Sequence, residues 1–125
     1  MKEQFVPYEI AKQLKEKGFT EPCFGIYDKN GYLYTKGSIY SYLDDETNII
    51  APLWQQVIDW FRDKHSIMIC IDFYDEGSEK EPHIIYHFKI SEPKTWYKCD
   101  IIVKSDYKTY PEARQAAIEH ALTLI

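Results

Sequence analysis

IMICIDFY at Ile67–Tyr74, HIIYHFKI at His83–Ile90 and WYKCDIIVK at Trp96–Lys104 decide the fold of this chain. In the first run Ile67, Ile69, Ile71 and Phe73 alternate with Met68, Cys70, Asp72 and Tyr74, and in the second Ile84, Tyr86, Phe88 and Ile90 alternate with His83, Ile85, His87 and Lys89. A period of two is that of a strand with one face buried. The charged loop Asp75 to Pro82 and the shorter Ser91 to Thr95 separate the three runs. Neither is long enough for a parallel crossover, so the stretch predicts a three-stranded antiparallel meander.

Working outward, the period changes to 3.6. Pro52 to about His65 carries Leu53, Trp54, Val57, Ile58 and Phe61 on one side and Gln55, Gln56, Asp59, Arg62 and Asp63 on the other, a helix with one buried face. Pro111 to about Leu124 predicts a second helix, whose Ala113, Ala116, Ala117 and Ala121 allow close packing beside Ile118 and Leu122. Pro7 to about Lys17 predicts a third, with Ile10, Ala11 and Leu14 as its stripe and Gly18 as its stop. Cys23 to Asp28 and Tyr32 to Lys36 flank Lys29-Asn30-Gly31, and an Asn-Gly step accepts the positive φ of a tight hairpin. A further short strand is expected near Ser38 to Leu43. The expected architecture is α+β over residues 1–125 as a single domain, in the order α-β-β-(β)-α-β-β-β-α, with an antiparallel sheet and three helices mainly on one face.

Composition bounds the function. The chain has 125 residues, 45% hydrophobic and 16% aromatic, enough to bury roughly two-thirds of its unfolded surface. The longest apolar runs fall far short of the roughly 18 residues of a membrane span. With no leader-like opening, a soluble cytoplasmic protein is expected. Fifteen Lys and Arg against 20 Asp and Glu, mixed along the chain, give a net charge of -5 and offer no footprint for nucleic acid. Three cysteines at unrelated spacings make neither a disulfide framework nor a CxxC site. There is no GxSxG, HExxH, Walker loop or GxGxxG, so no cofactor is expected. Glu112, the acidic turn Asp44-Asp45-Glu46 and His65 read as a solvated helix start, a solvated turn and a dipole-complementing helix end.

One constellation invites chemistry. With the simplest hairpin registers, Tyr74 opposite His83 and Ile90 opposite Tyr97, a transverse row reads Cys70, His87, Asp100. Neighbours in such a row have Cβ atoms about 5 Å apart. It could serve as a hydrolase-type triad or as three ligands of a metal. The plainer reading is a half-exposed sheet face on which His87 and Asp100 form a cross-strand polar pair. A flat sheet face supplies no oxyanion hole, and a slip of one residue destroys the row. The balance is against an enzyme.

The 11 tyrosines are more informative. Tyr32 and Tyr34 share a strand face, as do Tyr40 and Tyr42, while Tyr74 and Trp96 sit on the second strand group. An amphipathic ring suits a surface that is dry against a partner and wet at its edge, although aromatics also fill half-buried sheet positions. These six residues are the expected contact residues for a protein partner. Pairing of two copies through a sheet edge is the third option.

The blocks MKEQFVPYEIAKQLKEKGF (1–19), EPCFG (21–25), APLWQQVIDWFRDKH (51–65) and YKTYPEARQAAIEHALTLI (107–125) resemble a family of small uncharacterised proteins of gut anaerobic bacteria and their prophages and mobile elements. The resemblance covers roughly half of the chain and assigns no catalytic residue. It implies an intracellular protein with a constant helical frame and a variable sheet, the pattern of a scaffold that presents different surfaces. A small interaction or accessory module is therefore expected.

Overall fold

The computed structural model describes residues 2–35, 46–95 and 98–125. The strand expected near Ser38 to Leu43 lies outside them, as do Tyr40, Tyr42 and Trp96. The fold class is α+β, and among the described residues all strand pairing is antiparallel and the strands form two sheets of three. The chain divides into two compact units, Met1–Val57 and Ile58–Ile125.

In the first unit α1 (Tyr8–Glu16) starts behind Pro7 and buries Ile10, Ala11 and Leu14. Its end is a Schellman motif: Gly18, at φ +92, donates to the Lys15 carbonyl and Phe19 to that of Leu14. Leu14 and Phe19, thereby brought together, are both buried. β1 (Gly25–Tyr27) pairs with β2 (Leu33–Tyr34), and on its other side with β3 (Ile49–Ala51). In the turn, the Gly31 N–H donates to the Asp28 carbonyl at 3.0 Å and Gly31 sits at φ +83. The Asp28 carboxylate accepts from the N–H groups of Asn30 and Tyr32, so the hairpin expected at the Asn-Gly step closes on an aspartate side chain. α1 packs on β3. Three residues long and directly before Pro52, β3 gives no readable alternation in the sequence.

α2 (Trp54–His65) begins at the end of the first unit, two residues after the expected Pro52. The Leu53 N–H donates to Gln56 Oε1 at 2.9 Å, and Gln56 Nε2 donates to the Pro22 carbonyl at 2.8 Å. Gln56 thus closes half of a capping box. Trp54, Val57, Trp60 and Phe61 are buried, so the stripe runs through Trp60, whereas Leu53 and Ile58 are half-exposed.

The second unit carries β4 (Met68–Asp75), β5 (Ile84–Thr95) and β6 (Lys98–Tyr107) as a meander with β5 in the centre. α3 (Tyr110–Leu122) packs on all three strands and buries Ala113, Ala117, Ile118, Ala121 and Leu122. It opens on Thr109, whose hydroxyl accepts from the Glu112 N–H at 3.2 Å.

The sheet's registers differ from the simplest ones. Tyr74 faces Ile85, not His83, a shift of two that keeps every β4 and β5 side chain on its expected face. Ile90 faces Ile102, not Tyr97. The segment Ser91 to Thr95 is strand rather than loop, with Thr95 opposite Lys98, so that two residues separate β5 from β6. That shift of five is odd, and an odd shift exchanges a strand's faces. Ile102 therefore joins Phe88 and Ile90 on the helix side, while Ile101 and Val103 turn outward, 54% and 57% exposed.

Candidate functional site

The outer face of the second sheet, turned away from α3, holds most of the side chains that invite chemistry. Three rows cross it: Met68, Ser91 and Ile101; Cys70, Lys89 and Val103; and Asp72 with His87, facing the bulge at Ser105 and Asp106. Tyr74 and Ile85 follow beyond. The bulge arises because β5 pairs Phe88 with Lys104 and Tyr86 with Tyr107, leaving one extra residue on β6, with Asp106 at φ +75.

Cys70, His87 and Asp100 do not form a row. Cys70 is opposite Lys89, His87 is opposite Asp72 and Asp100 is opposite Glu92. Cys70 and His87 share the outer face only as diagonal neighbours, about 7–8 Å apart at that lattice position. In the register Asp100 falls in the other phase of β6, five positions from Ser105, where the bulge that faces His87 begins. The physical reason is the length of the strands: two residues rather than five separate them, which slides β6 along β5. The triad and the three-ligand site lose their geometry together. Among the described residues no group of three His, Cys, Asp or Glu could hold a metal ion.

What the register does bring together is Asp72, His87, Tyr74 and Ser105. Tyr74 reaches across β5 so that its hydroxyl lies 2.9 Å from Ser105 Oγ, and its ring stands 5.8 Å from the His87 imidazole. His87 Nδ1 is enclosed there with no hydrogen-bond partner among the described residues. Asp72 Oδ1 accepts from the Phe73 N–H at 2.8 Å. A nucleophile also needs donors for a developing oxyanion. Backbone N–H groups within a ladder are spent on strand pairing and point along the sheet, not out of its face. This cluster is a polar strap over His87 that ties β4 to β6.

The expected contact residues divide. Tyr74 is 37% exposed on the outer face. Tyr32 and Tyr34 are 67% and 38% exposed in the first unit, where the Tyr34 hydroxyl donates to Asp28 Oδ2 at 3.3 Å. Phe24, which the sequence reading passed over, is as exposed as Tyr32. Met68, Ile101 and Val103 are exposed there as well, although setting Tyr97 opposite Ile90 would have put the last two on the helix side. Their signal was present in the sequence: the run Ile101-Ile102-Val103 has no alternation, so an apolar residue faces outward in either phase. Cys23, free and part-buried, is chemically quiet: burial first and the Glu21 charge second push its thiol up to about 12. A shallow open groove beside α3, floored by Phe88 and Tyr107, is rimmed by Lys104, Glu119 and His120.

Among the described residues, no helix is long and apolar enough to cross a membrane. The chain matches no family model, no curated protein and no solved structure.

Proposed function

We propose that the protein is a small interaction module whose contact surface is the outer face of the second sheet. The observation that supports this most directly is the apolar character of that face. An antiparallel sheet with a helix on one side ordinarily turns polar side chains to water on the other. Here Met68, Ile101 and Val103 are 39%, 54% and 57% exposed on adjacent rows, with Tyr74 on the same face. Scattered exposed apolar residues are ordinary, whereas a contiguous group marks a surface that a partner dries. Lys89 in the centre and Asp72, His87 and Ser105 at one end supply the polar contacts that fix orientation. The partner this surface suits is a protein. Of the exposed aromatics of the first unit, Phe24 precedes β1, Tyr32 follows the turn and Tyr34 ends β2, and scattered exposed rings need no partner.

The test is a quantitative pull-down from an extract of the native host. It compares the wild type with Met68→Lys/Tyr74→Ser and with Tyr32→Ser/Tyr34→Ser. The first variant loses captured proteins that the second retains. Equal prey lists from the wild type and Met68→Lys/Tyr74→Ser would sink the sheet-face reading, and loss confined to the Tyr32 and Tyr34 variant would move the surface to the first hairpin.

A further inference from the structure

β6 is an edge strand: among the described residues it pairs only with β5, and its other side carries unspent N–H and C=O groups. From Cys99 to Lys104 its pairing with β5 advances one residue at a time without irregularity, and the bulge at Ser105 and Asp106 ends that run. Ile101, Val103 and Lys104 are exposed along it.

The sequence of this run, Asp100-Ile101-Ile102-Val103-Lys104, reads as a charge palindrome about Ile102. An antiparallel strand that pairs with its own copy about a two-fold axis sets residue i opposite 204 minus i when the axis passes Ile102. Ile101 then meets Val103, and Asp100 meets Lys104, in both halves of the pair. Opposite-charge and β-branched pairs directly opposite one another are the favourable ones. Within one chain the register sets Asp100 opposite Glu92, whereas self-pairing about Ile102 sets it opposite Lys104. The other edge is less suited: self-pairing of β4 about Asp72 sets two acids opposite, and about Ile71 it offers Asp72 only Cys70.

We infer that β6 is a self-recognition edge, through which two copies join their β4-β5-β6 sheets into one six-stranded antiparallel sheet, with the pairing centred on Ile102. The interface is isologous, since the same residues serve both copies. On the outer face Ile101 and Val103 of one copy lie beside Val103 and Ile101 of the other, so the apolar patch doubles across the seam. Edge lysines and bulges normally discourage such pairing. Here the bulge limits it to one short register, and Lys104 is charge-matched in that register alone. The inference extends the interaction-surface reading, and its test leaves Met68 and Tyr74 untouched so that the two can fail separately.

The experiment is sedimentation equilibrium of the full chain over a concentration series. The variants are Asp100→Lys, Lys104→Asp, the double Asp100→Lys/Lys104→Asp, and an equimolar mixture of the two single variants, with circular dichroism confirming fold. The wild-type mass rises with concentration from 14.9 kDa toward twice that value. Each single variant sets like charges opposite in both halves of the seam and stays monomeric. The double variant and the mixture restore opposite charges and dimerise as the wild type does. A wild type that remains monomeric up to about 1 mM, the weak end of specific association, overturns the inference. So do single variants that dimerise undiminished, or a mixture that fails to recover. Should a single variant misfold, the double variant still decides. A monomeric wild type that keeps its Met68- and Tyr74-dependent prey fails the self-pairing alone; a dimer whose prey list ignores those residues fails the sheet-face reading alone.

Discussion

Gly25 shows at the scale of one residue how tightly the first unit is closed. A Cβ built there would stand 2.8 Å from Phe5 Cε1 and 3.2 Å from both Ala51 Cβ and Leu33 Cδ1. Phe5 and Ala51 are buried, so neither can swing aside cheaply. Gly25→Ala is expected to cost about 1–3 kcal/mol by overpacking, read as a lower urea midpoint at unchanged slope. Cys23, two residues earlier, gives a chemical readout of the same closure. Its thiol stays protonated until the pH nears 12, since burial disfavours the thiolate. Iodoacetamide at pH 8 is expected to modify exposed Cys70 well before Cys23, as peptide mapping would show, and Cys23 is expected to label readily only after denaturation. Because its folded-state pKa is raised above the ordinary 9.0, the thiol's contribution to stability is whole below about pH 9 and declines as pH rises toward 12. Fast labelling of folded Cys23 at pH 8 would show that the loop before β1 opens freely.

At the scale of the element, caps and loop anchors are side-chain devices that set where each piece begins. Thr109 starts α3 by accepting the Glu112 N–H, and Thr109→Ala is expected to cost about 1 kcal/mol, measurable by thermal or urea unfolding. Asp75 anchors the loop between β4 and β5. Its Oδ1 accepts from the His83 N–H and the Gly77 N–H, both at 2.8 Å, and these bonds, His83 first, hold its carboxyl below the usual carboxylate range. A depressed folded-state pKa means that the anchor is fully present above the unfolded value near 3.8 and is lost as pH falls through the lower one. The amide resonances of Gly77 and His83 are expected to titrate together, below the ordinary aspartate range; separate titrations would mean that the two bonds are not made by one carboxylate.

Helices and the first hairpin were legible because their signals are local: a proline at the start of each helix, a 3.6-residue stripe through Trp54, Val57 and Phe61, a glycine at φ +83. The face of β4 and β5 was legible because alternation survives an even slip. The face of β6 was not, since Ile101-Ile102-Val103 offers no phase, and only the number of residues between β5 and β6 decides it. A register is a non-local fact, and the candidate row of Cys70, His87 and Asp100 depended on two of them.

For the whole molecule the division at Val57 and Ile58 matters, because each unit has its own sheet and buried residues. Phe61 is fully buried in the second unit, and its N-terminal neighbour Trp60 packs edge-on against it at 5.2 Å. Phe61→Ala is expected to cost about 3–5 kcal/mol, a large part of the stability of a chain this size. Hydrogen exchange of that variant tests whether the units melt as one. Protection lost equally from β1 and β5 marks a single cooperative transition, whereas loss from β5 alone marks two.

The odd slip of β6 has a consequence for how the protein is made. With isoleucine at 101 and 102 and valine at 103, a nascent strand can offer an apolar side chain to Phe88 and Ile90 in either phase, so the apolar pattern alone does not choose between them. The two-residue spacing between β5 and β6 makes the choice. Lengthening that connection by one residue would ask the strand to bury Ile101 and Val103 and to turn Ile102 outward, remaking the module's visible surface while leaving every helix in place.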